Sequence, residues 1–426
     1  MFSQGGLSLE QAPPISVVLK FFITASTFGL LLGLYILGTS ADILPPKEHT
    51  FNVTIIHILA LGVMESFMLG ALFQMLPVLA GVVIKTPTKK STVVHLLLVV
   101  GLLVQLLAFH NAKMPLLYFL AGAYLGIGLL YAIGLMLKEL IKIKDHSSSS
   151  KGIIFALLSF TLAVLFALYL LLALGGYIDG IHFVKVKELH YSFALFGWIS
   201  LLIISVSFQV IEMFYVTPKY PTLMSNYLPM TLFLLLMVKT ILLFIGIESQ
   251  LLTLLFSTLF ILYAVATLER LSKRKRPTSD ATVWFWSLGM ALFILSMTIT
   301  FLDATLGVDQ LLKEISYLSF IGFALSIVFA MVYKIVPFLA WFHLSNQGYL
   351  EAPMMHDIIH PKKVKMHFKI HVATLITWLA NILLPSSILI IASLLLTLSF
   401  GWLLYHLIFA VRKYNYTQKH TEKMEW

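Results

Sequence analysis

Fourteen histidines and no cysteine bound the chemistry open to this chain of 426 residues. The missing thiols exclude disulfides, thiolate metal sites and cysteine nucleophiles. His57 lies about one turn into an apolar stretch, and His190 opens another. Imidazoles arriving from two helices can ligate copper or haem iron, because a neutral ring nitrogen suits both. The same two residues also suit a plainer role as hydrogen-bonding groups at a membrane surface. With His49, His110 and His182 they fall on one side of the apolar stretches. A denser set falls on the other: His356 and His360 are four apart, as are His367 and His371, with His343 shortly before. On a helix each pair shares a face, and Met354, Met355 and Asp357 add soft and hard donors nearby. This is raw material for metal capture, but no HExxH motif or carboxylate triad accompanies it. Anchoring of a basic loop at the interface explains it equally well. His95, His146, His406 and His420 carry no separate expectation.

The second set of reactive residues consists of rare polar groups inside apolar runs. Glu65 and Lys239 stand near the middle of theirs, where an unpaired charge costs roughly 2.5–3.5 kcal/mol on insertion scales. Pairing with each other, neutralisation and lining of a hydrated proton path are all open to them. Gln74, Gln209, Glu212 and Lys334 lie closer to the ends of such runs.

These groups need elements to hold them, and composition says which. Charged residues make up 11% of the chain and apolar residues 59%, where a soluble domain carries roughly 25% charge. The expected class is an all-α polytopic membrane protein, one integral membrane domain over residues 1–426. Apolar runs of about 20 residues mark spans near 15–38, 53–83, 92–110, 115–137, 152–175, 189–213, 223–247, 250–268, 282–304, 314–342, 367–385 and 388–410. The opening stretch has no basic region before its apolar run, which argues against a cleaved signal. Ser147–Ser150 reads as a flexible loop, and about 343–366, with Pro353 and Pro361, as a structured or interfacial one.

Of the 29 Lys and Arg residues, twenty-two fall on one set of alternate loops and five on the other. The positive-inside rule then places both termini in the cytoplasm. The net charge of +10 is therefore a cytoplasmic rim facing lipid, not a stripe for nucleic acid. The implied location is the cytoplasmic membrane of a bacterium.

Three long spans end alike: FQMLP from Phe73, FQVIE from Phe208 and YKIVP from Tyr333. Each sits in the second span of a group of four, which predicts twelve transmembrane helices in three pseudo-repeated four-helix blocks, 15–137, 152–268 and 282–410. Gln74, Gln209 and Lys334 then occupy related inward positions, because facing lipid would be costly. Glu212, three residues after Gln209, is available to pair with Lys334. Interhelical adhesion without turnover remains the simpler use of these groups. No P-loop, dinucleotide glycine pattern or GxSxG elbow occurs, and the acidic residues are too scattered for a glycosidase pair.

The three-by-four pattern, with His57 in the second span, resembles the haem–copper oxidase catalytic-subunit superfamily. It is also similar to that superfamily's ligand-poor relatives and to haem-associated membrane proteins of nitric-oxide metabolism. His190, Gly197, Trp198, Phe208, Gln209 and Met213, and the run Tyr333, Lys334, Pro337, Phe338, Trp341, Phe342 and His343, carry the likeness. The resemblance implies that His57 matches the low-spin haem ligand and that His190 is an earlier match to a copper ligand. The tenth span lacks the two histidines that complete haem ligation, and the seventh lacks the copper pair. A haem- or copper-associated redox or nitric-oxide-metabolism protein without a complete oxygen-reducing centre is the first expectation. A proton-coupled solute or metal transporter, with a path over Glu65, Gln74, Gln209, Lys239 and Lys334, is the second. The third is a non-catalytic assembly or scaffold subunit. Each allows a respiratory or electron-transfer partner.

Overall fold

Within a bilayer the backbone must satisfy its own hydrogen bonds, so long apolar runs fold as helices. The computed structural model describes residues 13–41, 43, 50–247, 249–275, 280–384 and 388–423. Residues 1–12, Lys47, His49 and Arg276 lie outside them. Among the described residues, eleven helices are long and apolar enough to cross a membrane. They are α1 (Ile15–Ser40), α2 (Phe51–Ala80), α3 (Pro87–His110), α4 (Pro115–Leu140), α5 (Ser148–Leu174), α6 (Phe183–Tyr215), α7 (Thr222–Phe244), α8 (Gln250–Ser272), α9 (Ala281–Leu306), α10 (Gln310–Asn346) and α12 (Ile388–His420). A further long helix, α11 (Pro361–Leu383), begins with Lys362, Lys363, Lys365 and Lys369 and is less apolar for that reason. The protein is an integral membrane protein built from helices.

Helix starts follow local chemistry. Pro87, Pro115 and Pro361 occupy the first turns of α3, α4 and α11, where a missing N–H costs nothing. Ser147–Ser150 does not form a free loop. Ser147 caps α5, its side chain accepting from the Ser150 N–H at 3.1 Å, and the serines after it are the first turn. The stretch after α10 is structured as expected, with a one-turn helix Met355–Ile358 and an isolated bridge from Tyr349 to Lys423.

Two helices widen into π geometry. In α2 this covers Ile58–Glu65 and in α6 Phe193–Ser200. The two segments are 135 residues apart, the same offset that relates Phe73-Gln74 to Phe208-Gln209. Widening turns a carbonyl out of the usual ladder, and a hydroxyl five residues on reaches it in both helices. Ser66 Oγ donates to Leu61 O at 3.4 Å and Ser200 Oγ to Leu195 O at 2.9 Å. A glycine sits inside each segment, Gly62 and Gly197, and Gly322 of α10 continues the register, eleven residues before Tyr333 as the others precede their phenylalanines.

The described chain forms two compact units: one includes Phe73–Pro277 and Phe293–Asp309, the other Pro13–Leu72, Thr278–Leu292 and Gln310–Trp426. In the first, Gly197 brings α6 close to α5 and α7. A Cβ there would stand 2.7 Å from Ser159 Cβ and 3.0 Å from Leu236 Cδ1. Phe160 stacks on Trp198 at 4.3 Å across the same α5–α6 contact. In the second, Gly322 does the same for α10, with Leu292 of α9 at 2.8 Å and Leu375 of α11 at 3.1 Å from a Cβ placed there. Small residues allow such close backbone approach where no hydrophobic force separates helix from lipid.

Candidate functional site

The second unit holds a buried imidazole pair. The face of α11 that carries His367 and His371 turns inward, leaving them 0% and 2% exposed. Tyr333 Oη of α10 lies 3.0 Å from His367 Nδ1, and Ser399 Oγ of α12 lies 2.9 Å from its Nε2. Ser326 Oγ lies 2.9 Å from His371 Nε2. Phe329 covers both rings, at 4.7 and 5.1 Å between centroids. The i,i+4 spacing predicted a shared face, and it is shared. His356 and His360 are not part of it. Both are exposed in the connection before α11, where His360 Nδ1 accepts from Lys362 N–H as a helix cap. Among the described residues no three histidines or carboxylates gather to hold a metal ion.

Lys334 meets a carboxylate at the head of α9. Its ammonium donates to Asp280 Oδ2 at 2.5 Å, while Asp280 Oδ1 accepts from the Thr282 N–H and hydroxyl at 2.9 and 2.8 Å. Asp280 thus caps α9 and ties it to α10. Burial pushes the Asp280 carboxyl up, but Lys334 and Thr282 outweigh it and hold the group below its ordinary range. In the same unit His57 is half-buried, and its Nδ1–H donates to Val53 O at 2.8 Å. Glu65, at the end of the π segment, is 3% exposed.

In the first unit His190 makes a longer-range bond. Its Nδ1–H donates to Ala163 O of α5 at 3.0 Å. A carbonyl only accepts, so in the neutral ring the lone pair stands on Nε2 in both His57 and His190. Lys239 lies nearer the end of α7 than its middle. It pairs with Glu188 of α6 at 3.0 Å and donates to Ser192 Oγ at 3.1 Å, with both charged side chains about one-third exposed. Gln209 is half-buried. Gln74 is 2% exposed, and its carboxamide has no hydrogen-bond partner among the described residues.

Glu212 accepts from the Tyr220 N–H at 3.1 Å beside a tyrosine cluster that was not anticipated. Thr267 Oγ1 donates to Tyr263 O at 2.9 Å, so it accepts from the Tyr220 hydroxyl at 3.0 Å. Tyr263 in turn donates to Ser207 Oγ at 2.9 Å. Burial pushes the Tyr220 phenol up to about 12, partly offset by its hydroxyl neighbours. Tyrosine in an unfolded chain ionises near pH 10, so the folded state holds this proton more tightly. The stability it contributes is intact below about pH 10 and drains away towards about pH 12. Tyr220→Phe is therefore expected to shrink the fall in melting temperature between about pH 9 and about pH 11. An alkaline fall as steep as that of the unaltered protein would show that other groups cause it.

Aspartate, glutamate and hydroxyl partners were the residues that sequence reasoning missed: Glu188, Asp280, Ser326 and Ser399. One signal was available, since Ser319, Ser326 and Tyr333 repeat every seven residues along one face of α10. Fold and buried polar groups together define a polytopic helical membrane protein with internal histidine and tyrosine networks. The chain matches no protein-family model and no curated protein.

Proposed function

We propose that this is a haem-associated membrane redox protein, a divergent relative of the haem–copper oxidase catalytic subunits without a complete oxygen-reducing centre. The observation that carries the reading is His57 at the head of one π segment and the carbonyl-held His190 just before another. Such segments mark functional turns more often than chance placement would, and a backbone carbonyl on one ring nitrogen orients the other as a ligand. The donor chemistry fits haem, for which one axial imidazole suffices. A copper site asks for several donors together, and among the described residues no group of three is found. Haem, when bound, supplies one-electron chemistry; the Val53 and Ala163 carbonyls set the tautomer and direction of the two rings.

Twelve spans in three blocks of four belong to this reading. The common offset of the π segments and the register of Gly62, Gly197 and Gly322 support it. The basic rim supports cytoplasmic termini in a bacterial cytoplasmic membrane, with a respiratory or electron-transfer protein as partner. A transporter is the second reading, favoured by buried Glu65 and by the unpartnered carboxamide of Gln74.

Purified protein is expected to give a reduced-minus-oxidised haem spectrum at near one haem per chain. His57→Ala should remove most of that signal while the protein remains monodisperse, and His190→Ala tests the alternative ligand. Protein without haem at any stoichiometry would sink the redox reading and favour transport.

A further inference from the structure

The haem reading leaves the imidazole pair of α11 unused. The two rings are held differently. Ser326 Oγ donates to Gly322 O at 2.6 Å, so its contact with His371 Nε2 at 2.9 Å requires a proton on that nitrogen. His371 is confined to one tautomer. His367 has a hydroxyl on each side instead, Tyr333 at Nδ1 and Ser399 at Nε2. A hydroxyl donates or accepts as it rotates, so both neutral tautomers of His367 are satisfied without any movement of the ring.

Aromatic rings pack around this site. Phe285 of α9 and Phe329 of α10 cover His367 at 5.8 and 4.7 Å between centroids. From α12, His406 is 5% exposed, its Nε2 has no hydrogen-bond partner among the described residues, and it follows Ser399 by seven residues, two turns along the same helix. The His406 ring packs on Trp402 at 5.1 Å between centroids, and the ammonium of the exposed Lys363 lies 5.8 Å from the same Trp402 ring. Lys362, Lys365 and Lys369 share α11 with the imidazole pair, Lys365 lying over the Trp284 ring of α9, and the Lys334 and Asp280 pair stands beside Tyr333 on α10 and at the head of α9.

We propose that His367 is a proton relay, passing protons between the Ser399 and Tyr333 hydroxyls, with His406 linking it to the basic face around Lys363. Ser399 gives its hydroxyl proton to Nε2, while Nδ1 gives its proton to the Tyr333 oxygen. Ser399 regains a proton from water by way of His406, and the original Tyr333 proton passes on to water. The ring ends as its other tautomer, with no charge left behind and no electron moved. The relay does not depend on haem.

Solid-state NMR of the full-length protein in lipid bilayers, labelled with nitrogen-15 histidine, reads the tautomer directly. The His367 signals are assigned by their disappearance in His367→Gln. The relay predicts that both neutral tautomers of His367 are populated in the unaltered protein. Tyr333→Phe should leave only the Nε2–H form, and Ser399→Ala only the Nδ1–H form. Each should dominate by at least about tenfold, the ratio that a difference of about 1.4 kcal/mol sets. A single tautomer in the unaltered protein, kept in both variants, would overturn the relay and leave a static structural bond. If one variant fails to fold the other still decides, because each names a different nitrogen.

Discussion

Gly197→Leu unfolds the protein at a markedly lower temperature, while Gly134→Leu does not. At Gly197 even a Cβ would meet the Ser159 Cβ at 2.7 Å and Leu236 at 3.0 Å. The Ser159 Cβ is fixed to its backbone and cannot swing aside, so α5 and α6 must separate. Overpacking of a filled interior costs about 1–3 kcal/mol and sometimes more, and the stacked Phe160–Trp198 pair is lost with the same contact. Gly134 of α4 has nothing within 4 Å of a Cβ. There the substitution recovers up to about 1 kcal/mol of helix propensity. Thermal unfolding of both variants in one detergent measures the contrast. Equal melting temperatures would mean that the close approach at Gly197 does not hold α6 in place.

Asp280→Asn has the second large effect, because one carboxylate performs two tasks. It neutralises Lys334 and it caps α9 through Thr282. Breaking a fully buried pair costs about 3–5 kcal/mol. Here the side chains keep 22% and 32% exposure, so about 2–3 kcal/mol is expected, including some weakening of the cap. Lys334→Met removes the ammonium that Asp280 neutralises, so the double variant should recover part of the loss. A cycle of the four proteins isolates that coupling, and strict additivity would show that the pair contributes nothing. The pH dependence has a definite sign. The folded carboxyl titrates lower than the unfolded one, so its contribution is present above about pH 4. It is lost as pH falls through the depressed folded value, and the unaltered protein and Asp280→Asn should converge in acid.

The pairing of Lys334 shows where the chain's own pattern ran out. Its cost inside an apolar run announced that it must have a partner, and Glu212, three residues after Gln209, was one carboxylate available. The partner that the structure shows, Asp280, comes from a short connection before α9, a segment with no periodicity to place it. Lys239 repeats the lesson with Glu188, which lies where α6 begins six residues ahead of the expected span. His367 and His371 were legible as a shared helix face, yet nothing in their spacing told whether that face met water, metal or hydroxyls. Burial separated them from His356 and His360, which had looked equivalent.

Sequence alone determined the membrane class and most helix positions. These are local or periodic properties, and apolar runs must form helices in lipid wherever they occur. Only the tertiary structure decided which carboxylate meets each lysine, which hydroxyls flank His367, and which glycine cannot accept a Cβ. Those contacts join residues separated by tens of positions. Their energies depend on distances of a few tenths of an ångström, which no pattern along a single chain records.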